Sequence, residues 1–176
     1  MADNKGHMAH VAATLRHRNA GSSTRDLDRF RQYLRRGSPG PYAHVVLLGL
    51  DTFDPPNVLR AVKRGLLYRT FERFQRNTSL SFESAISLID VPRRTMTRRR
   101  REGRLQPDES DRLLRASRLF GSALQLFDGD RDTAVEWLST AQPALGGTIP
   151  FDLARTEVGA REVERLIGRL EHGVFS

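Results

Sequence analysis

The chain has 176 residues, a formal charge of +8 and a pI near 11. That length accommodates one ordinary domain, or a small one with an extension, and the charge favours a polyanionic partner. The absence of cysteine excludes a disulfide framework, a thiolate metal site and a cysteine nucleophile, and the longest apolar run, Val45 to Leu50, is too short to span a bilayer.

Residues 1–24 are polar and aperiodic and carry three of the five histidines, so a disordered leader is expected there. The opening MADNKGHM resembles a vector-derived leader, and no apolar run of the secretory kind follows it. A cytoplasmic protein without membrane association is expected. Asp26 to Arg36 reads as a short charged helix with Leu27, Phe30 and Leu34 at helical spacing, broken by GSPGP at Gly37 to Pro41. Tyr42 to Leu50 reads either as a short strand or as a helix buried against the rest.

From Asn57 the pattern is helical. Asn57 is the expected cap of a helix that stops at Gly65, and Leu67, Phe71 and Phe74 form the face of the next. Thr78 to Ser81 end that helix and offer hydroxyl caps for another, in which Phe82, Ile86 and Ile89 face inward before Asp90-Val91-Pro92. Seven arginines follow between Arg93 and Arg104, and Gly103 marks a stop. Pro107, Asp108, Glu109 and Asp111 suit a helix N-terminus and its dipole, with Leu113, Phe120, Leu124 and Phe127 as the stripe. After a turn at Asp128 to Asp130, Thr133 and Glu136 have capping-box spacing, ahead of Trp137 and Leu138. The loop QPALGGTIP leads to Thr156, the expected cap of a last helix with Val163, Leu166, Ile167 and Leu170 inward, ending at Gly173. The class is all-α, with a short strand near residue 45 as the open alternative. Residues 25–56 read as an N-terminal extension, 57–122 as one domain and 123–176 as another.

Charge divides the chain. Residues 57–104 carry thirteen Lys/Arg against four Asp/Glu, a balance of +9, whereas residues 105–176 carry eight against twelve, a balance of −4. Two surfaces with two kinds of partner are expected. The arginine run begins where the second helix of a helix-turn-helix would begin, the position that puts side chains into a DNA groove. Asp90 stands where the turn commonly has Gly, and Asp tolerates positive φ better than most residues. Arg93, Arg94, Thr95, Thr97 and Arg98 would form the exposed front, with Met96 inward. Arg can bond guanine in bidentate fashion and Thr can touch a thymine methyl. Arg99, Arg100, Arg101 and Arg104 would neutralise phosphates. The bland alternatives are a solvated basic face or an RNA surface, and the latter lacks the aromatic platforms on which unpaired bases stack.

Catalysis finds no support. His44 and His172 are isolated, no phosphate-binding loop or hydrolase motif is present, and the acidic groups at residues 108–111 and 128–132 read as caps and turns. No enzyme activity, cofactor or metal is expected. Trp137 reads as core. Val174-Phe175 sets an aromatic beyond the last helix, either frayed or an anchor in a partner's pocket.

RTMTRRRREGRL at Arg94 to Leu105, PDESDRLLR at Pro107 to Arg115, AVEWL at Ala134 to Leu138 and ALGGTIPFDLARTEVGAREVERLIGRLEHGV at Ala144 to Val174 resemble antitoxins of the Xre/MbcA/ParS type, partners of RES-domain toxins. Met96 stands where the family usually has Leu. The resemblance implies an Xre-like helix-turn-helix domain that represses its own operon, followed by a small helical toxin-binding domain from about Ala123. It implies a homodimer on operator DNA, and a RES-domain toxin that consumes NAD, blocked by a C-terminal segment laid at its active site. Carried over by position, Trp137, Leu145, Gly146, Gly147, Pro150, Leu153 and Gly159 would shape the toxin-binding domain. Leu170, Gly173, Val174, Phe175 and Ser176 would approach the toxin, the free end serving as the plug. A stand-alone helix-turn-helix regulator with a C-terminal dimerisation or sensing domain is the other reading.

Overall fold

Gln106 and Glu109 start the helix around which the rest is arranged. The Glu109 carboxylate accepts from the Gln106 N–H at 2.7 Å, closing a capping box, and Pro107 supplies a fixed φ in the first turn. In the computed structural model, which describes residues 24–36, 40–51 and 54–173, that helix runs from Pro107 to Leu126 and is the sixth of nine α-helices among the described residues. The elements in order are α1 (Arg25–Arg35), a 3₁₀ helix (Ala43–Leu48), α2 (Pro55–Lys63), α3 (Tyr68–Thr78), α4 (Phe82–Leu88), α5 (Arg93–Glu102), α6 (Pro107–Leu126), α7 (Arg131–Ser139), a 3₁₀ turn (Pro143–Leu145), α8 (Pro150–Leu153) and α9 (Glu157–Glu171). Among the described residues there is no strand, only two isolated bridges, Leu67 with Arg104 and Gln142 with Thr148. The all-α reading holds, and the strand considered near residue 45 is a buried 3₁₀ helix. Of the leader expected over residues 1–24, residues 1–23 lie outside the described residues, as do Val174, Phe175 and Ser176, while Thr24 caps α1 by accepting from the Leu27 N–H at 3.2 Å.

Leu113, Leu119, Phe120, Ala123 and Leu124 of α6 are fully buried. The helix packs against α2, α3, α7, α9 and the 3₁₀ helix, with Phe120 edge-on to Phe74 of α3 at 6.3 Å. Among the described residues no helix is long and apolar enough to cross a membrane.

The N-terminal extension is part of this core. Leu27 and Phe30 of α1 and all six residues of the 3₁₀ helix are buried. Gly121 permits the approach: a Cβ there would stand 3.0 Å from the Cβ of His44 and 3.4 Å from the Phe30 ring. A buried polar knot fixes the register. Asn77 of α3, with no exposed surface, donates to the Leu47 carbonyl at 2.7 Å and to Asp26 at 3.3 Å, and accepts from the Thr24 hydroxyl. An amide with its hydrogen bonds met inside the core ties docking to one geometry, because any other would leave it unsatisfied.

Two expected caps move by three residues. Asp54, not Asn57, caps α2 by accepting from the Asn57 N–H at 3.2 Å. Asp130, not Thr133, caps α7, accepting from the N–H groups of Asp132 and Thr133 at 3.0 and 3.2 Å. Ser81 and Thr156 cap α4 and α9 as the sequence predicts.

Candidate functional site

The turn between α4 and α5 is tight because Asp90 adopts φ 49°, and its N–H and that of Val91 close onto the Ser87 and Ile86 carbonyls at 3.0 Å each. Pro92 then sets the extended conformation from which α5 starts. On α5, Met96 and Arg99 are the inward positions, 0% and 8% exposed. With 3.6 residues per turn, the opposite side is Arg93, Arg94, Thr97, Arg98 and Arg101, all exposed. Thr95, half-buried, and Arg100, exposed, stand on the two flanks.

The front is lightly restrained. Arg93 pairs with Glu83 of α4 and stands 5.5 Å over the Phe82 ring, and Arg98 lies 3.6 Å from Glu102. Arg94 and Arg101 have no carboxylate partner among the described residues. The Thr97 hydroxyl donates to the Arg93 carbonyl at 3.0 Å, which occupies its proton within the helix and leaves the methyl as its outward feature.

Arg99 departs from its expected role. Its Nε donates to both oxygens of Glu109 at 3.0 and 2.8 Å, and its Nη1 to Glu102 at 2.8 Å. The hydrogen bonds it donates to Glu109, and then to Glu102, hold the guanidinium above its ordinary value. It is a strut joining α5 to the start of α6, not a phosphate ligand. Arg104 also lies apart from the front: it follows Gly103, which ends α5 at φ 73°, and donates to the Gly65 carbonyl and, at 3.4 Å, to that of Arg64.

The residues after α6 make a second region, stitched to α6 by ion pairs. Arg115 donates to Glu157 at 2.8 Å and Arg118 to Glu164 at 2.6 Å, and within α9 Arg161 donates to Glu157 at 3.1 Å. Burial pushes the Glu157 carboxyl up, but the Arg161 hydrogen bond and the charges of Arg118 and Arg115 outweigh it and hold that group below its usual value. Arg155, between α8 and α9, reaches Asp90 in the turn before α5 at 2.8 Å, so the two regions also touch beside the arginine helix.

Of the residues carried over to this second region, Trp137 is 7% exposed against Phe127, and Pro150 is buried at the start of α8. Both are interior, where they hold the region's shape. Gly159 is buried where a Cβ would lie 1.9 Å from the Leu153 carbonyl oxygen. Leu153 and Leu170 are half-buried, and Gly173 is exposed. Gly146 and Gly147, with φ of 65° and 78°, form an exposed loop with half-buried Leu145, closed by the Gln142 N–H on the Thr148 carbonyl at 3.1 Å. Among the described residues no cluster of His, Asp or Glu is arranged to hold a metal ion.

Residues 58–118, the α2-to-α6 arrangement around this turn, match the family described as antitoxin Xre-like helix-turn-helix domain. Residues 122–173 match the family described as antitoxin Xre/MbcA/ParS C-terminal toxin-binding domain. An antitoxin Xre from Yersinia enterocolitica is 38% identical over 130 residues, covering 73% of this chain and 88% of that one. An antitoxin Xre from Photorhabdus laumondii is 30% identical with the same coverage. A Prs ADP-ribosylating antitoxin from Sphingobium is 27% identical over 152 residues, covering 80% and 92%. With an inward-anchored arginine helix in a helix-turn-helix domain and a toxin-binding domain stitched behind it, this chain belongs to the Xre antitoxins of toxin–antitoxin systems.

Proposed function

We infer that this antitoxin neutralises a RES-domain, NAD-consuming toxin by covering its active site with the C-terminal segment, and that it represses its own operon as a homodimer on operator DNA. The observation that carries the DNA half is the front of α5. Arg93, Arg94, Arg98 and Arg101 stand exposed beside the Thr97 side chain, on a helix held inward by Met96 and the buried Arg99 to Glu109 pair. Guanidinium forks and a methyl are what guanine edges and thymine present partners for. Two such helices on a two-fold axis read a palindrome.

The toxin half rests on the C-terminal match and on chemistry. The Sphingobium relative is named for ADP-ribosylation, a reaction that draws its ADP-ribose from NAD. Here α9 runs out to an exposed Gly173 with positive φ, and residues 174–176 follow it. DNA and NAD chemistry together make the cytoplasm the compartment in which it acts. Co-expression with the neighbouring gene product tests this reading. A complex should co-purify, cellular NAD should be preserved, and deletion of Val174 to Ser176 should release NAD loss while promoter binding stays intact. Full protection by the truncated chain would remove the plug, and an NAD-independent partner would remove the RES assignment.

A further inference from the structure

A cavity of about 570 Å³ lies between the 3₁₀ helix, the end of α2 and the start of α3, away from both surfaces considered so far. Leu48 and Leu50 contribute to its apolar side, and Arg64, Arg69, Arg73 and Arg104 to its polar side. No carboxylate is among the lining residues. Of the four arginines only Arg73 meets an acid among the described residues, Asp26 at 3.6 Å.

Two of the guanidiniums are held in place by backbone. Arg73 donates to the Gly49 carbonyl at 3.2 Å and lies so close that a Cβ on Gly49 would fall 1.8 Å from its Nη1. Arg104 is held on the carbonyls at the end of α2. Arg64 and Arg69 add two cations without carboxylate partners among the described residues. Arg69 sits in the first turn of α3, whose cap, Leu67, makes no side-chain hydrogen bond. A cation at a helix N-terminus opposes the dipole, and an anion there relieves it. Four like charges lining one space repel each other, and a multiply charged anion turns that repulsion into attraction.

We propose that this cavity binds a small ligand carrying two or more phosphates, of nucleoside diphosphate size. Its volume falls in the range of small-molecule sites, roughly 300–1,000 Å³, and its mixed lining suits an anion attached to a less polar body. The DNA front begins at Arg93, whereas the cavity wall begins at Arg104, beyond the other end of α5. At about 1.5 Å per residue the two are separated by a helix length of roughly 15 Å, so the cavity stays open when the front is on a duplex.

Calorimetric titration of the full chain with ADP and, separately, with inorganic pyrophosphate at constant ionic strength tests the proposal. Saturable one-site binding is expected. The double variant Arg64→Ala/Arg69→Ala should weaken it by about tenfold or more, since charge-assisted hydrogen bonds are lost. Lys63→Ala/Arg76→Ala removes equal charge from the same two helices outside the cavity lining and should leave affinity within about twofold, a limit that decides between site and diffuse field. Melting curves check that each variant folds. Pyrophosphate binding as tightly as ADP supports the site and assigns recognition to the phosphates alone. The proposal is overturned by non-saturable heats with both ligands, by equal losses in the two double variants, or by displacement of ADP by a short non-cognate duplex, which would give the arginines to the DNA backbone.

Discussion

The front of α5 and the seam between α6 and α9 use the same residue in opposite company. On the seam, Arg115 and Arg118 are partly buried and every guanidinium named meets Glu157 or Glu164 at hydrogen-bonding distance. On the front, Arg94 and Arg101 meet no acid among the described residues, and the acids that Arg93 and Arg98 meet are themselves 60% and 44% exposed. Arg99 belongs to the seam type although it sits in the arginine run, because its carboxylate partner is 5% exposed. An arginine is therefore structural or available according to whether its own guanidinium is drawn out of water onto an acid, Arg115 and Arg99 being 14% and 9% exposed against 71% and 60% for Arg93 and Arg98. An exposed pair contributes about 1 kcal/mol or less and gives way to a phosphate, whereas breaking a buried pair costs about 3–5 kcal/mol.

The largest effects follow from that contrast. Replacing Arg93, Arg94 and Arg98 together with Ala should lower affinity for promoter DNA by at least about a hundredfold, since each guanine contact contributes roughly 1–3 kcal/mol. The melting temperature should hardly move. Fluorescence anisotropy with the upstream promoter fragment measures it, and unchanged affinity would mean that α5 is not the reading helix. Glu109→Ala should show the reverse pattern, losing about 3–5 kcal/mol in urea denaturation because Arg99 is left buried without its main partner. A loss below about 1 kcal/mol would erase the distinction between the two kinds of arginine.

Much of this was legible locally and little of it globally. The helix-turn-helix could be read from Phe82, Ile86 and Ile89, the turn at Asp90 and the stop at Gly103, because each is set by neighbours in sequence. The inward turn of Arg99 had a signal as well: it lies three residues after Met96, on the same stripe, with the capping-box Glu109 starting the next helix. The two misplaced caps share a cause. A cap's side chain takes the N–H of the third helical residue, so Asn57 and Thr133, each read as a cap, are the residues whose N–H groups Asp54 and Asp130 hold. The docking of the N-terminal extension left no such trace. It depends on Asn77 reaching Asp26 and Leu47 and on the absence of a Cβ at Gly121, contacts that periodicity does not encode. Nor does alternation exist to be read where all six residues of a 3₁₀ helix are buried.

A smaller effect tests how firmly that extension is locked to the seam. Burial, then the charge of Arg118, lowers His44 from 6.5 to about 4, so the folded protein keeps the ring neutral while the unfolded chain protonates it. Stability is then complete above about pH 6.5 and falls as pH drops towards 4, by up to about 3 kcal/mol for a shift of this size. His44→Gln should flatten the pH dependence of the melting temperature in that window. An equally steep dependence in the variant would assign the acid sensitivity to the carboxylates of the seam instead.

The smallest effect probes the place where the two regions touch. Asp90 holds φ 49° in the turn before α5 and pairs with Arg155, with both side chains largely exposed. Asp90→Gly removes the carboxylate but suits the backbone, so lost pairing and relieved strain oppose each other, and stability should change by less than about 1 kcal/mol. Asp90→Ala loses the pair and keeps the strain, and should be the less stable of the two by about 1 kcal/mol. If Arg155→Ala is additive with Asp90→Gly in a double-mutant cycle, the pair is a passive surface contact and the two regions are joined only through the α6 seam. A coupling of about 0.5 kcal/mol or more would make Arg155 a second joint, one that sets the toxin-binding domain directly against the turn that aims the arginine helix.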